Sequence, residues 1–150
     1  MNQADNEELD TDACWRLLAT ATMGRLATAT DRGVRIWPVN YRVRERTLIF
    51  RSDPGTKVWD IAAHPQVSFE IDGLEDGQHW SVVVTGHARP IDGDVPGSSS
   101  AREELVSVNP GPKRMLLRIT PDRVTGRRFV SAIARSSLWN SRPVGWRVPS

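Results

Sequence analysis

Apolar and polar residues alternate with the two-residue period of β-strands through most of this chain, and only short stretches widen to helical spacing. The first is near the start, where Leu9, Cys14, Leu17 and Leu18 recur near helical intervals behind Asp10 or Thr11 as a cap, which predicts a helix to about Thr20. Strands then take over. Residues 25–30 and 34–43 flank the turn-prone Asp31-Arg32-Gly33 and predict a β-hairpin, with Trp37, Val39, Tyr41 and Val43 on one face of its second arm. After a turn at Arg44-Glu45-Arg46, Leu48-Ile49-Phe50 reads as a buried strand. A two-turn helix follows with Val58, Ile61 and Ala62 on one side, and it must stop at His64-Pro65 because the residue before proline disfavours helical geometry.

The second half continues in the same register. Val67, Phe69 and Ile71 point inward from a strand over 66–72, and a polar turn over 73–77 leads to a long strand over 79–91. One face of that strand carries Trp80, Val82, Val84, Gly86 and Ala88, the other Ser81, Val83, Thr85, His87 and Arg89. A Gly/Ser/Pro loop over 92–100, a short helix over 101–108, a strand over 114–120 and a separate extended piece over 122–129 complete the pattern. Residues 1–8 have too little apolar surface to fold alone and read as a disordered acidic tail, and 130–150 as a C-terminal tail that can pack on a partner subunit. The folded domain is thus expected over 9–129.

Composition changes this picture in three places. At 150 residues and 39% hydrophobic the chain fits one domain with a real core. No apolar run approaches the roughly 20 residues needed to cross a bilayer, and the acidic start lacks the parts of a signal peptide, so the expected compartment is the cytoplasm. A lone cysteine, Cys14, excludes an internal disulfide and a multi-cysteine metal site. The net charge of +2 hides a segregation: five acids and no base occupy the first twelve residues, leaving +7 on the remainder. Its basic residues are scattered along strands, and no common nucleic-acid motif occurs, so nucleic acid is not the expected partner.

Of the 20 cations only Lys57 and Lys113 are lysines, and Lys57 sits in the most informative segment, Phe50-Arg51-Ser52-Asp53-Pro54-Gly55-Thr56-Lys57. A strand ends here and a helix begins, with Asp53 and Pro54 as N-cap and first helical residue. Backbone N–H groups at Gly55 and Thr56, hydroxyls at Ser52 and Thr56, and the cations Arg51 and Lys57 together suit a dianionic phosphate. The same residues also make an ordinary capped helix with two solvated charges. Of the histidines, His64 is expected to cap a helix C-terminus and His79 to open a strand, while His87, on the polar face of its strand, reads first as structural or solvated and is the one of the three that could meet a ligand; their irregular spacing announces no metal site.

Six or seven strands without regular βαβ alternation predict a mainly β, antiparallel barrel with a few short helices, any cofactor lying outside its filled interior. The ordered blocks Met23-Gly24-Arg25-Leu26-Ala27, Trp37-Pro38-Val39-Asn40-Tyr41, the 50–57 segment, Val67-Ser68-Phe69-Glu70-Ile71-Asp72, Trp80-Ser81-Val82-Val83-Val84-Thr85-Gly86-His87-Ala88 and Ile119-Thr120-Pro121-Asp122-Arg123-Val124-Thr125-Gly126-Arg127-Arg128 resemble the pyridoxamine 5′-phosphate oxidase-like, FMN-binding split-barrel family, over about residues 13–128.

The resemblance implies a six-stranded antiparallel split β-barrel that forms a homodimer with one FMN in each interfacial cleft. On it, Pro38, Val39, Asn40 and Tyr41 line the isoalloxazine edge; Arg51, Ser52, Thr56 and Lys57 hold the phosphate; Trp80 and Ser81 fall in the cofactor-binding block near the interface, with Trp80 helping to wall the flavin from the partner subunit. The implied activity is that of an FMN-dependent oxidoreductase on a small-molecule substrate, the flavin doing the redox chemistry, with no catalytic protein residue and no metal required. True pyridoxamine phosphate oxidases grip substrate with a C-terminal Arg/His segment, and no histidine follows His87, so vitamin B6 phosphate is not the expected substrate. The cluster Arg127, Arg128 and Arg135 can receive another anion. Similar split barrels bind deazaflavin or heme, so a deazaflavin-dependent reductase and a non-catalytic flavin or heme module remain open.

Overall fold

The computed structural model describes residues 6–91 and 115–130; the loop and helix expected over 92–108, Arg135 and the tail over 131–150 lie outside the described residues. Chain order is β1 (Asn6–Leu9), α1 (Thr11–Thr20), β2 (Met23–Thr30), β3 (Gly33–Arg44), β4 (Thr47–Ser52), α2 (Thr56–Ala63), β5 (Gln66–Glu75), β6 (Gln78–Pro90) and β7 (Met115–Phe129). The strands lie in the order β1-β7-β4-β3-β2-β5-β6, β7 also pairs with β6, and every pairing is antiparallel. Strands β2 to β7 thereby close the expected six-stranded split barrel.

Alternation supplies the filling. Leu26, Val39, Tyr41, Phe50, Phe69, Val82, Val84, Leu117 and Ile119 are buried in one core cluster. Tyr41 meets Phe69 edge-on, with ring centroids 4.8 Å apart. Helix α1 starts where the Asp10 carboxylate accepts the Ala13 N–H at 2.8 Å, and it buries Cys14, Trp15, Leu17 and Leu18 against the barrel. The Tyr41 hydroxyl donates to the Leu18 carbonyl at 2.5 Å, tying helix to barrel. Burial pushes the Tyr41 pKa up to about 12.

The chain departs from the expected pattern at both ends of the barrel. Asn6–Leu9 is not a disordered tail but an edge strand on β7, and Leu9 belongs to it rather than to α1. The reason lies across the fold, where β7 stands alongside with Glu7 opposite Arg128 and Glu8 opposite Arg127, and Leu9 packs against the core cluster, contacts no local pattern reveals. The two extended pieces expected over 114–129 are one fifteen-residue strand. Its ladder with β6 shifts register beside Gly86, which faces Pro121; a Cβ on Gly86 would sit 2.2 Å from the Thr120 carbonyl oxygen, so glycine lets the backbones approach. The polar turn over 73–77 tightens to Asp76-Gly77, both at positive φ, and β5 runs to Glu75.

Candidate functional site

The barrel is split beside β3. Along residues 34–40 this strand pairs with β2 on one side, while β4 joins its other side only from Tyr41 to Arg44. Among the described residues no strand lies along the remaining edge of 34–40. Every second backbone N–H and C=O on that edge therefore lacks a ladder partner, which makes it a template for hydrogen bonding to something flat. Val39 and Tyr41 turn inward and are buried, whereas Pro38 and Asn40 are exposed on the outer face.

Helix α2 begins beside this edge. It starts at Thr56 with Gly55 as N-cap, two residues later than expected from Asp53 and Pro54, because Gly55 carries the chain into the helix from an extended conformation. No side chain caps it. The N–H groups of its first turn thus point outward with the positive end of the helix dipole behind them. Thr56 is exposed, Arg51 is half-buried at the end of β4, and Arg51 also engages another group. Ser52 is buried and its hydroxyl donates to the Asp53 carbonyl at 3.1 Å, so it shapes the loop rather than facing outward.

Lys57 joins the two halves. Its ammonium lies 5.3 Å from the centroid of the Trp37 ring on β3, a cation–π contact that aims it at the split. Burial lowers the Lys57 pKa and the nearby Asp53 carboxylate partly offsets this, so a charge is held in a place that favours an anionic partner. The geometry is set from behind. The buried Thr28 hydroxyl accepts the Trp37 indole N–H at 2.9 Å and donates to Asp60 of α2 at 3.4 Å, and Asp60 also receives Arg35 at 3.3 Å. This network was not legible in the sequence, since Thr28, Trp37 and Asp60 are far apart along it.

Trp80 and Ser81 do not join this site within one subunit. Ala88, whose N–H bonds the Pro65 carbonyl just past α2, lies eight residues further along β6 than Trp80, or about 26 Å of strand. Trp80 is 7% exposed in the core cluster and packs on Gly73, where a Cβ would come 2.5 Å from its ring. Within the subunit Trp80 thus serves packing, and Ser81 is half-buried on the outer face. Arg127 and Arg128 lie opposite Glu8 and Glu7 in the β1–β7 ladder, and Arg128 pairs with Glu75 at the end of β5 at 3.1 Å. His64 is indeed the C-cap of α2, its N–H bonding the Asp60 carbonyl, and its ring meets Asp31 at 3.1 Å. His79 stacks on Phe129 and His87 pairs with Asp122 at 2.9 Å. Among the described residues no cluster of His, Cys, Asp and Glu could hold a metal ion.

Residues 10–128 match the family model described as pyridoxamine 5′-phosphate oxidase. The chain belongs to that family. Among solved structures it is similar to an FAD binding protein from Mycobacterium smegmatis, at 36% identity and a TM-score of 0.68, covering 82% of this chain and 97% of that one. A putative pyridoxamine 5′-phosphate oxidase from Corynebacterium glutamicum shares 28% identity with a TM-score of 0.73, covering 83% and 98%. An FAD-binding protein from Mesorhizobium loti shares 27% identity with a TM-score of 0.73, covering 82% and 96%. No helix among the described residues of this family member is long and apolar enough to cross a membrane.

Proposed function

We propose that this protein is a flavin nucleotide-dependent oxidoreductase, working as a cytoplasmic homodimer on a small planar or anionic substrate. The observation that carries the reading is the meeting, at the barrel split, of the bare β3 edge with the uncapped start of α2 and Lys57 between them. The backbone groups of the 38–40 stretch that face the split would hydrogen-bond the rim of the isoalloxazine, with Val39 and Tyr41 buried behind them and the Tyr41 N–H held by the Thr22 carbonyl. The first turn of α2, with Thr56, Lys57 and Arg51, would take the 5′-phosphate that FMN and FAD share. When bound, the flavin supplies reversible two-electron chemistry, and the protein orients it and excludes water. The family membership and the names of its solved relatives support a flavin.

A homodimer is supported by the outer face of β3, where Val34 and Ile36 are each 69% exposed beside Pro38, Ala27 and Ala29. Only a second subunit could bring Ser81 to the cleft of the first.

The test is an absorption spectrum of the purified protein, mass analysis of any released ligand, and titration with FMN and FAD. Flavin bands that nicotinamide donors or dithionite bleach and an acceptor restores are expected. The double variant Arg51→Ala, Lys57→Ala should lose at least about a hundredfold in flavin affinity, from two charge-assisted contacts of about 1.5–3 kcal/mol each. Its dimer should persist. Unchanged affinity would refute the cradle, and a deazaflavin or heme spectrum would replace the flavin reading.

A further inference from the structure

We infer that the outer face of β4, β7 and β6 carries an oxyanion site at the opposed pair Arg118 and Arg89, which receives the phosphate or carboxylate group of the substrate; the inference rests on the flavin reading. Strand register places the pair. Arg118 of β7 lies directly opposite Ile49 of β4 on one side and Arg89 of β6 on the other, and Ile49 in turn lies opposite Arg42 of β3. Directly opposed residues share a face, so these four form one row across the outside of the barrel. Two positions along from Arg42 and Ile49 stand Arg44 and Arg51, on the same face by the two-residue period.

These arginines gather where their own strands supply no counterion. Strands β3, β4 and β6 contain no Asp or Glu, and the single acid of β7, Asp122, is held by His87 at 2.9 Å. Like charges directly opposite one another destabilise a sheet, and among the described residues no acid offsets Arg89 against Arg118. The neighbouring arginines are engaged. Arg42 and Arg44 donate back to the Tyr41 and Val43 carbonyls at 3.0 and 3.2 Å, and Arg51 also meets another group. Arg118 differs, because its Nε is buried and makes no hydrogen bond. Native proteins rarely leave a buried donor unpaired, and a bound oxyanion would satisfy this one.

The pair has the geometry for it. Cross-strand neighbours have Cβ atoms about 5 Å apart, so two guanidinium forks rise side by side and an oxyanion between them receives N–H bonds from both. Ile49 and Leu116 are buried on the same face in a small cluster with Ile91, an apolar surrounding in which the attraction is stronger than in water. The site adjoins the phosphate cradle through Arg51, which lies opposite Leu116, two residues or about 7 Å along β7 from Arg118. The flavin phosphate is taken at the start of α2, beyond Arg51. A second oxyanion, seated at Arg118 and Arg89, therefore belongs to the molecule that exchanges electrons with the flavin.

Calorimetric titration of the flavin-loaded protein with inorganic phosphate and with benzoate, at fixed ionic strength, tests the assignment. At least one probe should fill a single saturable site per subunit, phosphate the tighter if the substrate carries a phosphate and benzoate if it carries a carboxylate. Arg118→Gln and Arg89→Gln should each weaken that binding about ten- to a hundredfold through loss of a charge-assisted fork, with flavin affinity unchanged. Arg118→Lys, a cation without the fork, should fall between. Arg89 is exposed, so its substitution reads the site without disturbing the core. Anion binding indifferent to both substitutions, no saturable site in the flavin-loaded protein, or an equal fall in flavin affinity would overturn the inference and leave the flavin reading standing. An oligonucleotide that both substitutions release, with neither small anion bound, would put a nucleic acid on this face and overturn it as well. Failure of wild type to take up flavin would overturn the flavin reading and the substrate assignment together.

Discussion

Replacing Thr28 by valine removes one oxygen from the middle of the network that aims Lys57, with almost no change of shape. The Thr28 side chain is 0% exposed, and its hydroxyl satisfies the Trp37 indole N–H at 2.9 Å and reaches Asp60 at 3.4 Å. Valine leaves the indole N–H facing a methyl group, and a buried donor without a partner costs about 1–3 kcal/mol. The contact to Asp60 is at the long limit and Asp60 keeps Arg35 at 3.3 Å, so its loss adds little. The net cost should be about 2 kcal/mol, or about 4–8 °C in Tm for a domain of this size. Urea denaturation gives the stability, and flavin titration gives the coupling: with Trp37 unanchored, Lys57 loses its fixed aim and flavin affinity should fall several-fold. Thr28→Ser keeps the hydroxyl and serves as the control, expected to lose stability but not affinity. A Thr28→Val protein within about 0.5 kcal/mol of wild type, or one that binds flavin unchanged, would refute the claim that this network holds the site.

Two further predictions concern the barrel. Because Tyr41 is the one tyrosine of the chain, its tyrosinate absorbance should appear near pH 12 rather than 10; its folded-state pKa is raised, so its contribution to stability is complete below pH 10 and is lost as pH rises toward 12. Tyr41→Phe should abolish that alkaline loss at a cost of about 1 kcal/mol for the bond to Leu18, and ionisation at 10 would refute the buried hydroxyl. The turn between β3 and β4 holds Glu45 at φ 47° and Arg46 at φ 56°, a left-handed pair that disfavours side chains. Arg46→Gly should therefore raise stability by up to about 1 kcal/mol in a thermal melt, and a fall of that size would show that the Arg46 pairing with Asp12 outweighs the backbone strain.

The alternation of apolar residues was enough to place β3, β5 and β6, because one face of each strand is buried and a slip of one residue would turn its whole apolar set to water. Val67, Phe69 and Ile71, and Trp80, Val82, Val84 and Ala88, are buried as their spacing required. The chemistry of the 50–57 segment was equally local, since a strand end, a glycine and a lysine within eight residues need no distant partner to be noticed. What the sequence concealed were contacts made across the fold. Residues 6–9 become a strand only because β7 stands alongside them, with Arg128 and Arg127 opposite Glu7 and Glu8. Trp80 packs into the core of its own subunit because Gly73, on the neighbouring strand, leaves room for its ring. Lys57 is aimed by Trp37, Trp37 by Thr28, and α2 by Asp60, a chain of residues drawn from two strands and a helix. Periodicity carries information about which face of an element is buried, but not about what stands opposite; only closure of the barrel decided that.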